Sequence, residues 1–150
     1  MGSTLTRLVY HIVFATKDRF PSLTPEVRER VYPYIGGIVR GEGGHLLAIG
    51  GTADHVHLLA VLPAAEAVAA IIQKVKGHAS KWINEERLLK AKFGWQRGYG
   101  AFTVSHSAVA RVKRYVESQE AHHRRMTFEE EFVALLERHG VAYDPRYLWN

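Results

Sequence analysis

The sequence predicts an α+β domain: a ferredoxin-like or RRM-like β-α-β-β-α-β sheet with helices on one face, plus C-terminal helices after the sheet. Three observations predict it. Short β-branched and aromatic runs alternate with longer stretches of helical period, a short turn joins the second and third of those runs, and two further helical stretches follow the fourth.

Leu8-Val9-Tyr10-His11-Ile12-Val13-Phe14 reads as the first strand, because β-branched and aromatic side chains suit a pleated, half-buried surface. Thr24-Pro25-Glu26 then offers a capping hydroxyl, a proline at the first helical position and an acidic first turn. Val27, Val31, Ile35 and Ile38 continue at helical spacing up to Gly41. Residues 45–50 and 55–62 read as two strands, and Gly51-Thr52-Ala53-Asp54 is short enough to close a hairpin between them. Val68, Ile71, Ile72, Val75, Ala79, Trp82 and Ile83 form an apolar stripe within residues 65–89, a long second helix with Gly77 as its candidate interruption. Ala101-Phe102-Thr103-Val104-Ser105 is the fourth strand. Ser107 caps a third helix expected to run to about His123, and Thr127-Phe128-Glu129-Glu130 reads as a capping box opening a fourth.

Composition narrows the function classes. At 150 residues and 47% hydrophobic, the chain suits one domain over residues 1–150 with a sizeable core. With no cysteine, disulfide and thiolate chemistry are excluded, so a bound metal would rest on His, carboxylate or amide ligands. No signal-peptide pattern or membrane-length apolar run is present, and a cytoplasmic protein is expected. Twenty Lys and Arg against fifteen Asp and Glu give a net charge of +5, which favours a polyanionic partner.

The chemistry begins with His55-Val56-His57. Side chains two apart on a strand share a face, so both imidazoles stand on one side of the sheet while Val56 points to the other. Such a pair can hold a divalent cation and leave positions open for substrate. On the third helix, Tyr115 and Gln119 are four apart and stacked, with His122 close enough in register to rival or assist Gln119. A phenol is a weak nucleophile near neutral pH unless its substrate is made electrophilic, which a cation on a phosphate oxygen achieves. Nitrogen and oxygen ligation without sulfur suits Mg²⁺ or Mn²⁺ and leaves zinc open. Asp54 either orients the neighbouring imidazole, attracts the metal or caps the turn. Glu129, Glu130 and Glu131 read as an acidic first turn, not a carboxylate site, and His11, His45, His78 and His106 as structural or DNA-facing. Lys74, Lys76, Lys81, Arg111, Arg114 and Arg124, with Trp95, Tyr99 and Phe102 among them, are candidates for a groove that takes phosphates and stacked bases.

His55-Val56-His57, the segment Val112-Lys113-Arg114-Tyr115-Val116-Glu117-Ser118-Gln119, the opening Tyr10-His11-Ile12-Val13-Phe14 and the stretch Lys74-Val75-Lys76-Gly77-His78-Ala79-Ser80-Lys81 resemble the single-tyrosine HUH transposases of small bacterial insertion sequences, the IS200-like superfamily. The resemblance runs from about Leu8 to Gln119. The segment beyond it is similar to the palindrome-associated branch, whose members process chromosomal palindromes. The resemblance implies Tyr115 as nucleophile and His55, His57 and Gln119 as ligands of Mg²⁺ or Mn²⁺. It also implies single-stranded DNA with hairpins as substrate, a 5′-phosphotyrosine intermediate, and a homodimer in which each tyrosine helix completes the other subunit's site. Two other readings share this pattern: an idle hairpin-binding module of the same fold, and a hydrolase using metal-bound water.

Overall fold

Strand β1 (Leu8–Ala15) lies at the centre of the computed structural model, which describes residues 2–149. It pairs antiparallel with β3 (His55–Leu62) on one side and β4 (Gly100–Thr103) on the other, and β2 (His45–Gly51) closes the far edge against β3. The order β2-β3-β1-β4 is that of the expected sheet. Along β2 and β3 the register shifts once, between Leu46 and Ala48. This bulge is an irregularity that hydrophobic patterning does not announce.

Helices α1 (Pro25–Gly41) and α2 (Val68–Glu85) cover one face. Ile12, Phe14, Val56, Leu58, Ala60 and Leu62 point that way and are buried against Val31, Ile35, Ile72 and Val75. The Thr24 hydroxyl accepts from Val27 N–H, as the sequence predicts. Gly77 does not interrupt α2. The helix stops before residue 89 because Arg87 takes a left-handed conformation at φ 53°, and Asn84 then brackets Phe93 by accepting from its N–H and donating to its C=O. Among the described residues no helix is long and apolar enough to cross a membrane.

The opposite face carries the C-terminal helices. The predicted third helix is divided: a 3₁₀ turn at His106–Ala108 leads into α3 (Val109–Glu117), and α4 (Gln119–His122) follows after Ser118. The Ser118 hydroxyl donates back to the carbonyls of Arg114 and Tyr115, a local bond that competes with the helical ladder and ends α3 there. Val116 packs on Val9, Ala48 and Leu59. Helix α5 (Phe128–Arg138) opens with the predicted capping box and packs Phe128, Phe132, Leu135 and Leu136 on Val13, Ala15 and Phe102.

Candidate metal centre and tyrosine site

His55 and His57 project from β3 toward α3, α4 and α5, while Val56 is buried on the α1–α2 side. Period-two geometry thus delivers the pair as expected, and both imidazoles are fully buried. His55 Nδ1 lies 2.8 Å from Asp54 Oδ1 and 3.0 Å from the Thr52 hydroxyl, so the carboxylate holds the proton on Nδ1 and leaves Nε2 as a free donor atom. Asp54 therefore orients the imidazole. Burial opposes ionisation of this carboxyl, but the hydrogen bond and charge of His55 outweigh it and keep Asp54 below its usual range.

His57 is oriented by a second histidine. Its Nδ1 lies 2.7 Å from His11 Nε2, across the β1–β3 ladder. With no cation present, a neutral His57 donates from Nε2 to Glu131 and accepts at Nδ1 from His11; to offer Nε2 to a cation, its proton would move to Nδ1, which would then donate to His11. Burial lowers the His57 pKa to about 4, and burial together with His57 lowers that of His11 to about 3, so both rings are neutral at physiological pH.

The centre of the cluster is a carboxylate assigned to the acidic turn from sequence. Glu129 pairs with Arg19 and Glu130 completes the capping box, in keeping with that reading. Glu131 departs from it, because it is 1% exposed and turned inward. Its Oε1 lies 2.9 Å from His57 Nε2, 3.0 Å from His123 Nε2 and 3.6 Å from His55 Nε2. Its Oε2 accepts the hydrogen bond of the Tyr115 hydroxyl. Burial would raise the Glu131 pKa, but hydrogen bonds from His123 and His57 outweigh burial and hold the carboxyl far below its usual range. Burial, then the Glu131 hydrogen bond and charge, push the Tyr115 phenol well above its ordinary value.

One ligand atom from each of His55, His57, His123 and Glu131 lies within 4.8 Å of the other three. The donor set fits a divalent cation: neighbouring ligands of a six-coordinate ion with ~2.2 Å bonds are ~3.1 Å apart, close to the spacings around Glu131 Oε1, and two of the imidazoles already have outer partners. Gln119 reaches the cluster at one point, its Oε1 3.1 Å from His55 Nε2, and its amide donates to the Tyr115 carbonyl. His122 lies with its Nε2 buried and without a hydrogen bond, 3.4 Å from Glu131 Oε2. It is His123, one residue on, that makes the close contact.

Of the six basic candidates, Lys74, Lys76 and Lys81 sit on α2, across the sheet from the tyrosine. Lys74 pairs with Glu42 and Lys81 with Glu85. Lys76 donates to the carbonyls of Gln96 and Gly98 and so holds that loop; burial lowers its pKa to about 8. Arg111 lines a cavity of about 340 Å³ together with His11, Tyr115, Arg138 and His139. Arg124 lines another beside Gly50 and Gln119, and Arg114 lies exposed on α3. Phe102 is core, stacked on His139, and offers no free ring to a base.

On the central sheet a buried histidine pair is faced by a tyrosine from a following helix, and with His123 and Glu131 it forms a cluster that could hold a metal. The sequence profile described as "Transposase IS200 like" matches residues 4–119. The chain belongs to the IS200-like transposase family. It is 26% identical over 118 residues to the ISDra2 transposase TnpA of Deinococcus radiodurans, covering 75% of this chain and 84% of that protein. It is 30% identical over 115 residues to the transposase for insertion sequence element IS200 of Salmonella typhimurium, covering 73% and 75%. The crystal structure of a Deinococcus radiodurans transposase superposes with a TM-score of 0.64 at 26% identity, over 79% of this chain and 95% of that one. A REP-associated tyrosine transposase bound to a REP hairpin superposes at 0.56 with 13% identity, over 77% and 70%, a likeness of fold.

Proposed function

We propose that this transposase cleaves and rejoins single-stranded DNA by metal-assisted transesterification, with Tyr115 as nucleophile and His55 and His57 as the pair that holds Mg²⁺ or Mn²⁺. The observation that carries the reading is the Glu131 carboxylate, which touches the Tyr115 hydroxyl with one oxygen and the imidazoles with the other. The phenol and the donor atoms are thereby held together within one chain.

The phenol oxygen attacks the phosphorus of a phosphodiester, the bond from phosphorus to the 3′-oxygen breaks, and a 3′-hydroxyl leaves while the 5′-phosphate stays on Tyr115. The phenolic proton is lost and the departing oxygen gains one. The new phosphodiester conserves the energy of the old, so rejoining follows by the reverse displacement without ATP. A bound divalent cation would draw charge from the phosphate oxygens and so make the phosphorus more electrophilic. DNA reaches the phenol through the cavity beside it, where Arg111 and Arg138 offer two guanidinium groups to the phosphate backbone. The hairpin in the related REP complex supports a folded single strand as substrate class. Gln119, against His55, is within reach of the same cation.

The test uses single-stranded oligonucleotides tiled across the DNA flanking the gene, labelled at either end and resolved on denaturing gels with Mn²⁺. A 3′-labelled fragment linked to protein, lost in Tyr115→Phe while DNA binding persists, is expected. Cleavage without a protein-linked fragment would establish a hydrolase instead. Binding with no cleavage by the unaltered protein would leave the hairpin-binding module.

A further inference from the structure

Two of the residues gathered around the His57 and His55 donor atoms lie beyond the span of the family profile, which ends at residue 119. His123 and Glu131 come from the end of α4 and the first turns of α5. Glu131 occupies the apolar stripe of its helix, three residues from Phe128 and four from Leu135, so its burial is built into the helix and is not a chance rotamer. A carboxylate carried to that depth is costly unless it is paired. Here a single oxygen is ringed by three imidazole nitrogens, and a cation among these four donors would compensate it.

Gln119 is less well placed. Its amide oxygen contacts His55 alone, and its amide nitrogen is committed to the Tyr115 carbonyl one turn back. A neutral amide is also a weaker donor to a hard cation than a carboxylate.

We infer that His123 and Glu131 complete the metal site of this protein with His55 and His57, that Glu131 also positions the Tyr115 hydroxyl through its second oxygen, and that Gln119 supports the site from its edge. Helix α5 is thus part of the active centre. Four protein ligands on a six-coordinate ion leave two positions for a phosphate oxygen and water. Three imidazoles favour Mn²⁺ over Mg²⁺, which prefers oxygen ligands. The inference rests on the proposed metal-assisted reading of the site.

The test is titration of the metal-free protein with MnCl₂, followed by loss of the free-ion electron paramagnetic resonance signal. Glu131→Gln and His123→Ala are expected to bind Mn²⁺ at least tenfold more weakly, and Gln119→Ala within threefold of the unaltered protein. Pulsed measurements on bound Mn²⁺ in the unaltered protein are expected to count three coupled imidazoles, falling to two in His123→Ala; this count decides the matter if Glu131→Gln fails to fold. For the positioning role, Glu131→Asp should restore part of the Mn²⁺ affinity lost in Glu131→Gln while adduct formation stays low, since the shortened arm withdraws from the phenol. Equal recovery of both, two coupled imidazoles in the unaltered protein, or loss of affinity confined to Gln119→Ala would overturn the assignment and leave the Tyr115 adduct experiment untouched. An unaltered protein that binds no Mn²⁺ would remove the metal-assisted reading as well.

Discussion

Replacing Gly50 by alanine should uncouple the tyrosine from the cluster without touching either. A Cβ on Gly50 would stand 2.0 Å from the Val116 carbonyl oxygen and 3.0 Å from its carbonyl carbon. Both are backbone atoms, so no side-chain rotation relieves the clash. An ordinary contact between carbon and oxygen is about 3.3 Å, so α3 must retreat from β2 by roughly 1.3 Å. Val116 immediately follows Tyr115, and the phenol moves with it. A displacement of about 1 Å in a reacting group is expected to slow adduct formation by roughly 100-fold. Overpacking between half-buried Gly50 and fully buried Val116 should also cost about 1–3 kcal/mol of stability. Adduct yield against time on denaturing gels gives the rate, and denaturant titration gives the stability. Gly50→Ala with unaltered rate and stability would refute the close docking of α3 on the sheet.

Gly77→Ala is the counterpart: its Cβ meets nothing within 4 Å in the middle of α2, and a gain of about 0.5–1 kcal/mol in denaturant titration is expected. Asp54→Ala removes the acceptor that fixes His55 and should weaken Mn²⁺ binding about 10–100-fold by calorimetry, with the bond that its carbonyl accepts from Thr16 N–H kept. In chelator, stability should fall as pH drops from about 6.5 toward 4. His57 and His11 titrate below their unfolded values, so the unfolded chain binds more protons in that window; the His57 shift alone corresponds to at most about 3 kcal/mol. His123, raised by Glu131 against the effect of burial, works in the opposite direction, its contribution present at low pH and lost as pH rises through its folded pKa. Melting temperatures that stay level from pH 7 to 4 would contradict the buried neutral histidines.

The sequence-level reading of the fold rests on periods, and periods are local. Alternation placed His55 and His57 together and Val56 opposite, and the spacing of Tyr115 and Gln119 survived the division of their helix because four residues still turn one face. What was not legible is tertiary. The break at Ser118 comes from a side-chain bond to carbonyls that a helical pattern does not reveal. The lysines of α2 look like company for the tyrosine in a linear chain, yet the stripe of α2 packs on the face shared by Val56 and Leu58, so they lie across the sheet. Glu131 left one overlooked sign, an acid on the buried stripe between Phe128 and Leu135. His11 left another, a histidine amid an apolar strand two residues from Val13 on the face that carries His57.

The central claim is that the Tyr115 oxygen takes the 5′-phosphate of a cleaved strand. Mass spectrometry of the tryptic digest after reaction with DNA and Mn²⁺ tests it directly, since residues 115–124 should carry the nucleotide adduct on Tyr115. A nucleotide on another residue, or a cleaved strand with residues 115–124 unmodified, would contradict it.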